Sequence, residues 1–344
     1  RSTQGVSSAA SDVYKRQEDD DVAYCGAAED LAVAETVCAQ LGVRLHTVNF
    51  SHEYWERVFA VFLREYRAGR TPNPDVLCNK EIKFREFLDY AEHLGADAIA
   101  TGHYARRETR GGLPTLYKGA DQEKDQSYFL YSVSREALSK TLFPLGRLTK
   151  TEVRQRARDL GLHNSERKDS TGICFIGERR FKDFLSRYLP NESGRIETPE
   201  GALIGQHDGL WFYTLGQRQG LDIGGPGEAW YVSGKDVARN VLEVVQGHNH
   251  PALMCKRLRA VEPEWLTGDL PATPLTCNAK TRYRQDDQSC IVKQASHDTI
   301  DIEFQVPQRA ATPGQALVLY HKAVSYTHLR AHETRHDLVC RLLL

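Results

Sequence analysis

The sequence predicts an α/β protein: a parallel-sheet domain, then a small mixed central domain, then a C-terminal β domain. Three observations carry this. Between Glu29 and His103 helical and extended patterns alternate and are stopped by glycines, the signature of a parallel sheet with crossover helices. Beyond that point hairpin and capping-box signals replace the alternation. From Gly194 onward short apolar runs are punctuated by glycine turns, the texture of a small barrel or sandwich. The 344 residues make about two domains at the usual ~150 residues each. A hydrophobic content of 40% with 26% charged residues is that of a globular chain and excludes collagen-like, coiled-coil and wholly disordered classes.

The elements follow in order. Leu31, Ala34, Val37, Cys38 and Leu41 recur at helical spacing from Glu29 to Leu41, and Gly42 is a natural stop. Val43 to Phe50 reads as a strand. Ser51 is expected to cap the next helix, whose stripe is Trp55, Val58, Phe59, Phe62 and Tyr66, ending near Gly69. Arg70 to Cys78 holds two prolines and is expected to be a loop. A helix through Ile82, Phe87, Leu88 and Ala91 stops at Gly95, and Ala96 to Ala100 is a short buried strand leading into Thr101-Gly102-His103. Gly111-Gly112 is a hairpin turn signal. Thr149 to Glu152 fits a capping box opening a helix through Val153, Ala157 and Leu160. Phe181 to Leu189 is a further amphipathic helix. Ser289 to Gln294, Thr299 to Val306 and Ala316 to Tyr320 read as strands.

Charge and targeting narrow the function classes. The 45 Lys+Arg and 46 Asp+Glu leave a net charge of −1, so any nucleic-acid-binding face has to be local. No stretch holds ~18 uninterrupted apolar residues, so no membrane span is expected. Arg1 to Gln17 lacks the apolar core of a signal peptide, and a cytoplasmic location is expected. The cysteines are Cys25, Cys38, Cys78, Cys174, Cys255, Cys277, Cys290 and Cys340. None forms a C-x-x-C pair, so zinc-ribbon and thioredoxin-type motifs are not supported, and reduced thiols are the default. His332 to His336 matches H-E-x-x-H. Only eight residues follow it, which leaves little room for a third ligand, so no metal is assigned. Residues 1–17 and 323–344 follow neither the helix nor the strand period and are expected to be non-native scar.

Two thiols stand in chemically suggestive places. Cys78 lies between a Pro-rich loop and a helix, with Lys80 nearby, where the dipole and a cation favour thiolate. From placement alone a core cysteine under the helix fits equally well. Cys174 lies in Asp169-Ser170-Thr171-Gly172-Ile173-Cys174-Phe175-Ile176-Gly177, a glycine-flanked loop. Thr101-Gly102-His103 sits at a strand's carboxyl end, where parallel sheets bind ligands. Gly102 there admits a nucleotide to the backbone, and His103 can hydrogen-bond a phosphate or base.

The runs TPNPDVLCNKEIKF, TGHYAR, KDQSYFLY, DSTGICFIG and YTLGQRQGL occur in this order. Together they closely resemble the bacterial tRNA-specific 2-thiouridylases (MnmA family), over roughly Asp19 to Lys322. The resemblance implies an adenine nucleotide α-hydrolase-like (Rossmann-like) domain over 18–180, a central tRNA-binding domain over 181–250 and a β-barrel over 251–322. It implies sulfur insertion at C2 of the wobble uridine in tRNAs for Lys, Glu and Gln, after ATP with Mg²⁺ activates the carbonyl oxygen. Cys174 matches the persulfide carrier, and Cys78 the nucleophile that releases the sulfur by forming a disulfide with Cys174. Asn73, Pro74 and Asp75 match contacts to the target base, with Asp75 also placed to shuttle a proton. Gly102 matches a nucleotide contact. His103, Lys124, Asp125, Gln126, Arg282, Tyr283 and Gln315 match tRNA contacts. A persulfide-donor protein is the implied partner, and the intact protein is expected to be monomeric.

The sequence departs from the family at one place. The S-G-G-x-D-S loop that cradles phosphates in PP-loop enzymes is absent, and about a β-α-β unit is expected to be lacking before Glu18. Poor ATP binding, impaired activity and exposed apolar helix faces are the corresponding expectations. Two other readings stand beside the thiolase. One is a non-catalytic tRNA-binding fragment. The other is a different PP-loop ATP-dependent ligase, which has little need of paired Cys78 and Cys174.

Overall fold

The computed structural model describes residues 26–167, 185–266, 270–322, 324–325 and 327–330. Cys174 with its D-S-T-G-I-C-F-I-G run, the start of the Phe181–Leu189 helix, residues 1–17 and the H-E-x-x-H of the tail lie outside the described residues. The chain divides into two compact units. The first takes in residues up to Ala60, Pro74–Arg179 and Ala323–Ser325; the second takes in Val61–Asn73, Arg180–Lys322 and Tyr326–Leu344.

In the first unit, α1 (Gly26–Leu41) ends where Gly42 turns to φ +64, as expected. α2 (Ser51–Tyr54) continues through a π-helical turn, Trp55–Phe59, into α3 (Ala60–Arg67), whose residues from Val61 on count with the second unit. Val58, Phe59, Phe62 and Tyr66 are buried as the stripe requires, whereas Trp55 is only half-buried and its neighbour Tyr54 is buried instead. The cap is a correction. Ser51 is the first helical residue and Phe50 the N-cap, which makes no side-chain cap bond; Ser51 N donates to Asn49 Oδ1 at 2.8 Å. α4 (Pro74–Leu77) runs into a π-helical stretch, Cys78–Glu86, and then α5 (Phe87–His93). The expected loop therefore ends at Asn73. Proline lacks only an N–H that the first helical turn leaves unbonded anyway, so Pro74 opens the helix rather than preventing it.

β1 (Ile99–Ala100) follows, then β2 (Ala105–Arg110) and β3 (Leu113–Lys118). The last two form the expected hairpin, with Gly111 and Gly112 both at positive φ, as a two-residue primed turn requires. α6 (Arg135–Ser139) leads to β4 (Thr141–Leu142), which pairs in parallel with β1. Thr101 N donates to Leu142 O at 3.0 Å, so this ladder holds the start of the Thr101-Gly102-His103 turn. α7 (Lys150–Asp159) carries the predicted capping box, Glu152 N to Thr149 Oγ1 at 3.2 Å and Thr149 N to Glu152 Oε2 at 2.7 Å.

Val43 to Phe50 is not a strand. Val43 and Val48 are 50% and 40% exposed. A strand persists only against a partner's N–H and C=O groups, and among the described residues no strand pairs with this run. The alternating pattern is present without a ladder to use it.

The second unit holds two β cores. β5 (Gly194–Glu197), β6 (Leu203–His207), β7 (Trp230–Asp236) and β8 (Val241–Gln246) form a four-stranded sheet in the order β6-β5-β8-β7, with β5 and β8 parallel. Ile196, Leu210, Tyr213, Leu221, Val232, Leu242 and Val244 cluster as its core. β9 (Met254–Trp265), β10 (Leu275–Lys280), β11 (Gln288–Ala295), β12 (Thr299–Arg309) and β13 (Val318–His321) follow. Antiparallel pairing links them as β9-β12-β11-β10-β13. Ile300, Ile302 and Phe304 are buried at period two, each worth about 1.5–3 kcal/mol of apolar transfer.

Two short strands end the described chain. β14 (Val324–Ser325) pairs with β3 in the first unit, and β15 (Thr327–Arg330) pairs with β9 in the second. The tail from Val324 was expected to show no strand period. Backbone pairing to Val261–Trp265 makes β15 a strand, because the ladder bonds the main chain and needs no sequence pattern.

Candidate functional site

In the first unit the site begins at the helix that Pro74 opens. Asp75 is half-buried in its first turn, and Cys78, three residues on, is a buried cysteine at the start of the π-helical stretch. Such π insertions are frequent at functional sites. Cys78 thus lies one turn inside the helix rather than at its open N-terminus, and the dipole's influence there is correspondingly smaller. Asn79 fastens this turn, donating from Nδ2 to Phe129 O at 3.1 Å. Its Oδ1 is buried with no donor among the described residues.

Phe84, from the same helix, meets His103 with ring centroids 5.6 Å apart, and Phe143 stands perpendicular to the imidazole at 6.3 Å. Thr101 Oγ1 lies 3.0 Å from His103 Nδ1. Burial, with the Lys83 ammonium as the smaller cause, pushes the His103 pKa down to about 3. The imidazole is therefore neutral near pH 7, and any further hydrogen bond it makes is that of a neutral ring. Gly102 is exposed, and a Cβ there would meet nothing closer than Leu145 Cδ1 at 3.9 Å. Packing does not demand glycine at this position, and the turn leaves its backbone open to an approaching ligand. Among the described residues no group of three His, Cys, Asp or Glu side chains is gathered to hold a metal.

Lys124, Asp125 and Gln126 form the loop behind this turn. The buried Asp125 carboxylate accepts from Gly119 N at 2.9 Å, Ser127 N at 3.1 Å and Ser127 Oγ at 2.9 Å. Gln126 closes a two-sided bond with Tyr104: Gln126 Oε1 accepts from Tyr104 N, and Gln126 N donates to Tyr104 O, both at 2.9 Å. Asp125 and Gln126 therefore hold the loop to the Thr101–Tyr104 turn, and Lys124 stands half-buried beside them. The Cys78 helix, this turn and this loop are one connected cluster.

In the second unit the remaining residues converge on the β12–β13 loop. Gln315 Nε2 donates to Thr71 O at 2.7 Å, and Thr71 N donates to Pro313 O at 2.9 Å, docking the segment that ends at Asn73. Gly314 stands at φ +90, and a Cβ on it would lie 2.9 Å from Thr71 N, so only glycine fits there. Arg282 Nη2 donates to Arg309 O and to Ala310 O, and Tyr283 follows, half-buried. Arg309 in turn donates from Nε to His248 O at 2.9 Å and lies over the Tyr231 ring at 4.8 Å. The Y-T-L-G-Q-R-Q-G-L run joins the same loop, since a Cβ on Gly216 would sit 2.6 Å from Ala310 Cβ. Sequence reasoning missed Thr71 and Arg309. Thr71 stands inside a quoted motif and was within reach, whereas Arg309 ends a strand with no local signal.

A Rossmann-like domain bearing a ligand-side glycine turn and a buried helical thiol, followed by two β domains, defines the class. Residues 3–178 match the family model described as the tRNA methyl transferase HUP domain. Residues 182–246 match the tRNA methyl transferase PRC-barrel domain, and residues 255–324 the aminomethyltransferase β-barrel domain. The chain is 61% identical over 310 residues to the tRNA-specific 2-thiouridylase MnmA of Methylococcus capsulatus, covering 88% of this chain and 84% of that one. It is 57% identical over 307 residues to the protein of the same name from Chromohalobacter salexigens, covering 88% and 80%. The relative from Vibrio cholerae is 55% identical over 311 residues, covering 88% and 84%. The chain belongs to the tRNA-specific 2-thiouridylase family. Its fold is the expected one: a HUP domain, a small central domain and a C-terminal β-barrel domain. Among the described residues no helix is long and apolar enough to cross a membrane.

Proposed function

We propose that this chain catalyses ATP-dependent 2-thiolation of the wobble uridine in tRNAs for Lys, Glu and Gln. The observation that carries the reading is the placement of the buried Cys78, three residues beyond Asp75 on a helix whose Phe84 packs on His103 of the Gly102 turn. When bound, ATP with Mg²⁺ supplies the group that turns the C2 oxygen into a leaving group, and the open face at Gly102 is where the nucleotide approaches. Asn73, Pro74 and Asp75 orient the uracil, and Asp75 carries a proton at the reacting centre. The terminal sulfur of a Cys174 persulfide attacks C2 as the oxygen departs, leaving carbon joined to Cys174 through two sulfurs. The Cys78 thiolate then attacks the Cys174 sulfur. The S–S bond to the substrate breaks, 2-thiouridine leaves, and a Cys78–Cys174 disulfide remains.

His103, Lys124, Arg282, Tyr283 and Gln315 meet the tRNA, while Asp125 and Gln126 act by holding the loop that presents Lys124. The persulfide comes from a donor protein, the site of action is the cytoplasm and the working form is a monomer. Because the sequence contains no S-G-G-x-D-S run, ATP affinity of the chain as it stands is expected to be weak, and isothermal titration checks this. Function is tested by giving the chain an S-G-G-x-D-S opening from a relative and supplying tRNA, ATP and a persulfide donor. Nucleoside analysis should then detect 2-thiouridine. Tight tRNA binding with no thiolation would favour the RNA-binding reading instead.

A further inference from the structure

The barrel core contains a second pair of thiols, which the thiolation reading does not use. Cys277 on β10 and Cys290 on β11 are register partners, directly opposite each other, with their sulfurs 3.6 Å apart. Directly opposed antiparallel residues have Cα atoms roughly 4.5–5.5 Å apart, inside the roughly 4.4–6.8 Å window of disulfides. Closing from 3.6 Å to a bond of about 2.05 Å asks only for side-chain rotation. Cys255, the third buried thiol of this core, is aligned instead with Gln308.

We propose that Cys277 and Cys290 are an oxidation site, at which a peroxide closes a reversible disulfide that clasps the base of the β10–β11 hairpin. Cys277 is the entry point, being 6% exposed against 0% for Cys290. The hydrogen bond from Cys290 favours the Cys277 thiolate, and giving that bond pushes the Cys290 thiol up. The Cys277 thiolate attacks a peroxide oxygen, the O–O bond breaks, and a sulfenic acid forms with loss of water. The Cys290 thiol attacks the Cys277 sulfur, the S–O bond breaks, and a second water leaves. Each sulfur gives up one electron, and the peroxide takes both. The hairpin beyond this pair carries Arg282 and Tyr283, three and four residues past the last paired position, Ala279. Oxidation therefore stiffens the segment that presents a cation and a ring to a partner.

The test uses the full chain treated with graded hydrogen peroxide, alkylated under denaturing conditions and mapped by mass spectrometry. Peptides bearing Cys277 and Cys290 should be linked, Cys255 should stay alkylated, and dithiothreitol should reverse the link. Amide exchange over residues 281–287 should slow severalfold on oxidation, and the melting temperature should rise by several degrees. In Cys277→Ala the link should be absent and Cys290 fully alkylated. The proposal is overturned if both thiols stay alkylatable at doses that oxidise the half-buried Cys38, or if Cys255 takes the place of either. A link that leaves exchange of 281–287 unchanged overturns the clasp. None of these readouts depends on thiolation, so the two readings fail separately.

Discussion

Asp125 separates two roles that its motif alone cannot distinguish. As a tRNA contact, its loss would weaken RNA binding and spare the fold. As drawn by its bonds, the carboxylate is spent on two backbone amides and a hydroxyl within its own loop. Asp125→Ala withdraws the acceptor of Gly119 N and Ser127 N in a site only 6% exposed. Each buried amide so treated costs about 1–3 kcal/mol, so the substitution should destabilise the domain by about 3–5 kcal/mol. For a unit of this size that lowers the melting temperature by roughly 10 °C. Asp125→Asn keeps an oxygen for both amides and should cost only about 1–2 kcal/mol. Urea and thermal denaturation of the two variants, beside tRNA titrations, give the comparison. Asp125→Ala melting within a degree or two of the parent while tRNA affinity collapses would refute the loop-holding role.

Other consequences follow from the same bonds. His103 has a folded pKa of about 3 against the ordinary 6.5, so the unfolded chain takes up a proton first as pH falls. Its stabilising contribution is whole above about pH 6.5 and is lost between there and about pH 3. The expected loss across that window is of the order of a few kcal/mol. His103→Phe should flatten that part of the stability–pH curve, and an unchanged slope would count against the buried neutral ring. Gly314→Ala forces a side chain into φ +90 against Thr71 N, which should cost about 1–3 kcal/mol and loosen the Thr71–Asn73 segment, seen as faster amide exchange there.

Much of the fold was legible because local physics fixed it. Gly42, Gly69 and Gly95 end helices at positive φ, Gly111-Gly112 makes a primed turn, and Thr149–Glu152 caps a helix with bonds confined to four residues. What failed depended on partners elsewhere in the chain. Val43–Phe50 has the strand pattern without a pairing edge, and β15 has an edge, offered by β9, without the pattern. Pro74 was misjudged because proline breaks a helix interior but suits its first turn. At the site, the motifs located Cys78, Gly102 and the Lys124–Gln126 loop. They did not tell which side chains face a ligand and which hold the loop, since that follows from the bonds of Asp125 and Gln126. Arg309 was invisible for the same reason: its importance lies in His248, Tyr231 and Arg282, all distant in sequence.

The central claim concerns sulfur passing between Cys174 and Cys78 while uridine is modified. A single-turnover reaction of the loop-bearing chain, loaded with one persulfide and quenched with alkylating agent, measures it directly by peptide mapping alongside nucleoside analysis. The account predicts one Cys78–Cys174 disulfide for each 2-thiouridine formed, and neither product in Cys78→Ala. Accumulation of 2-thiouridine while Cys78 stays fully alkylatable would contradict it.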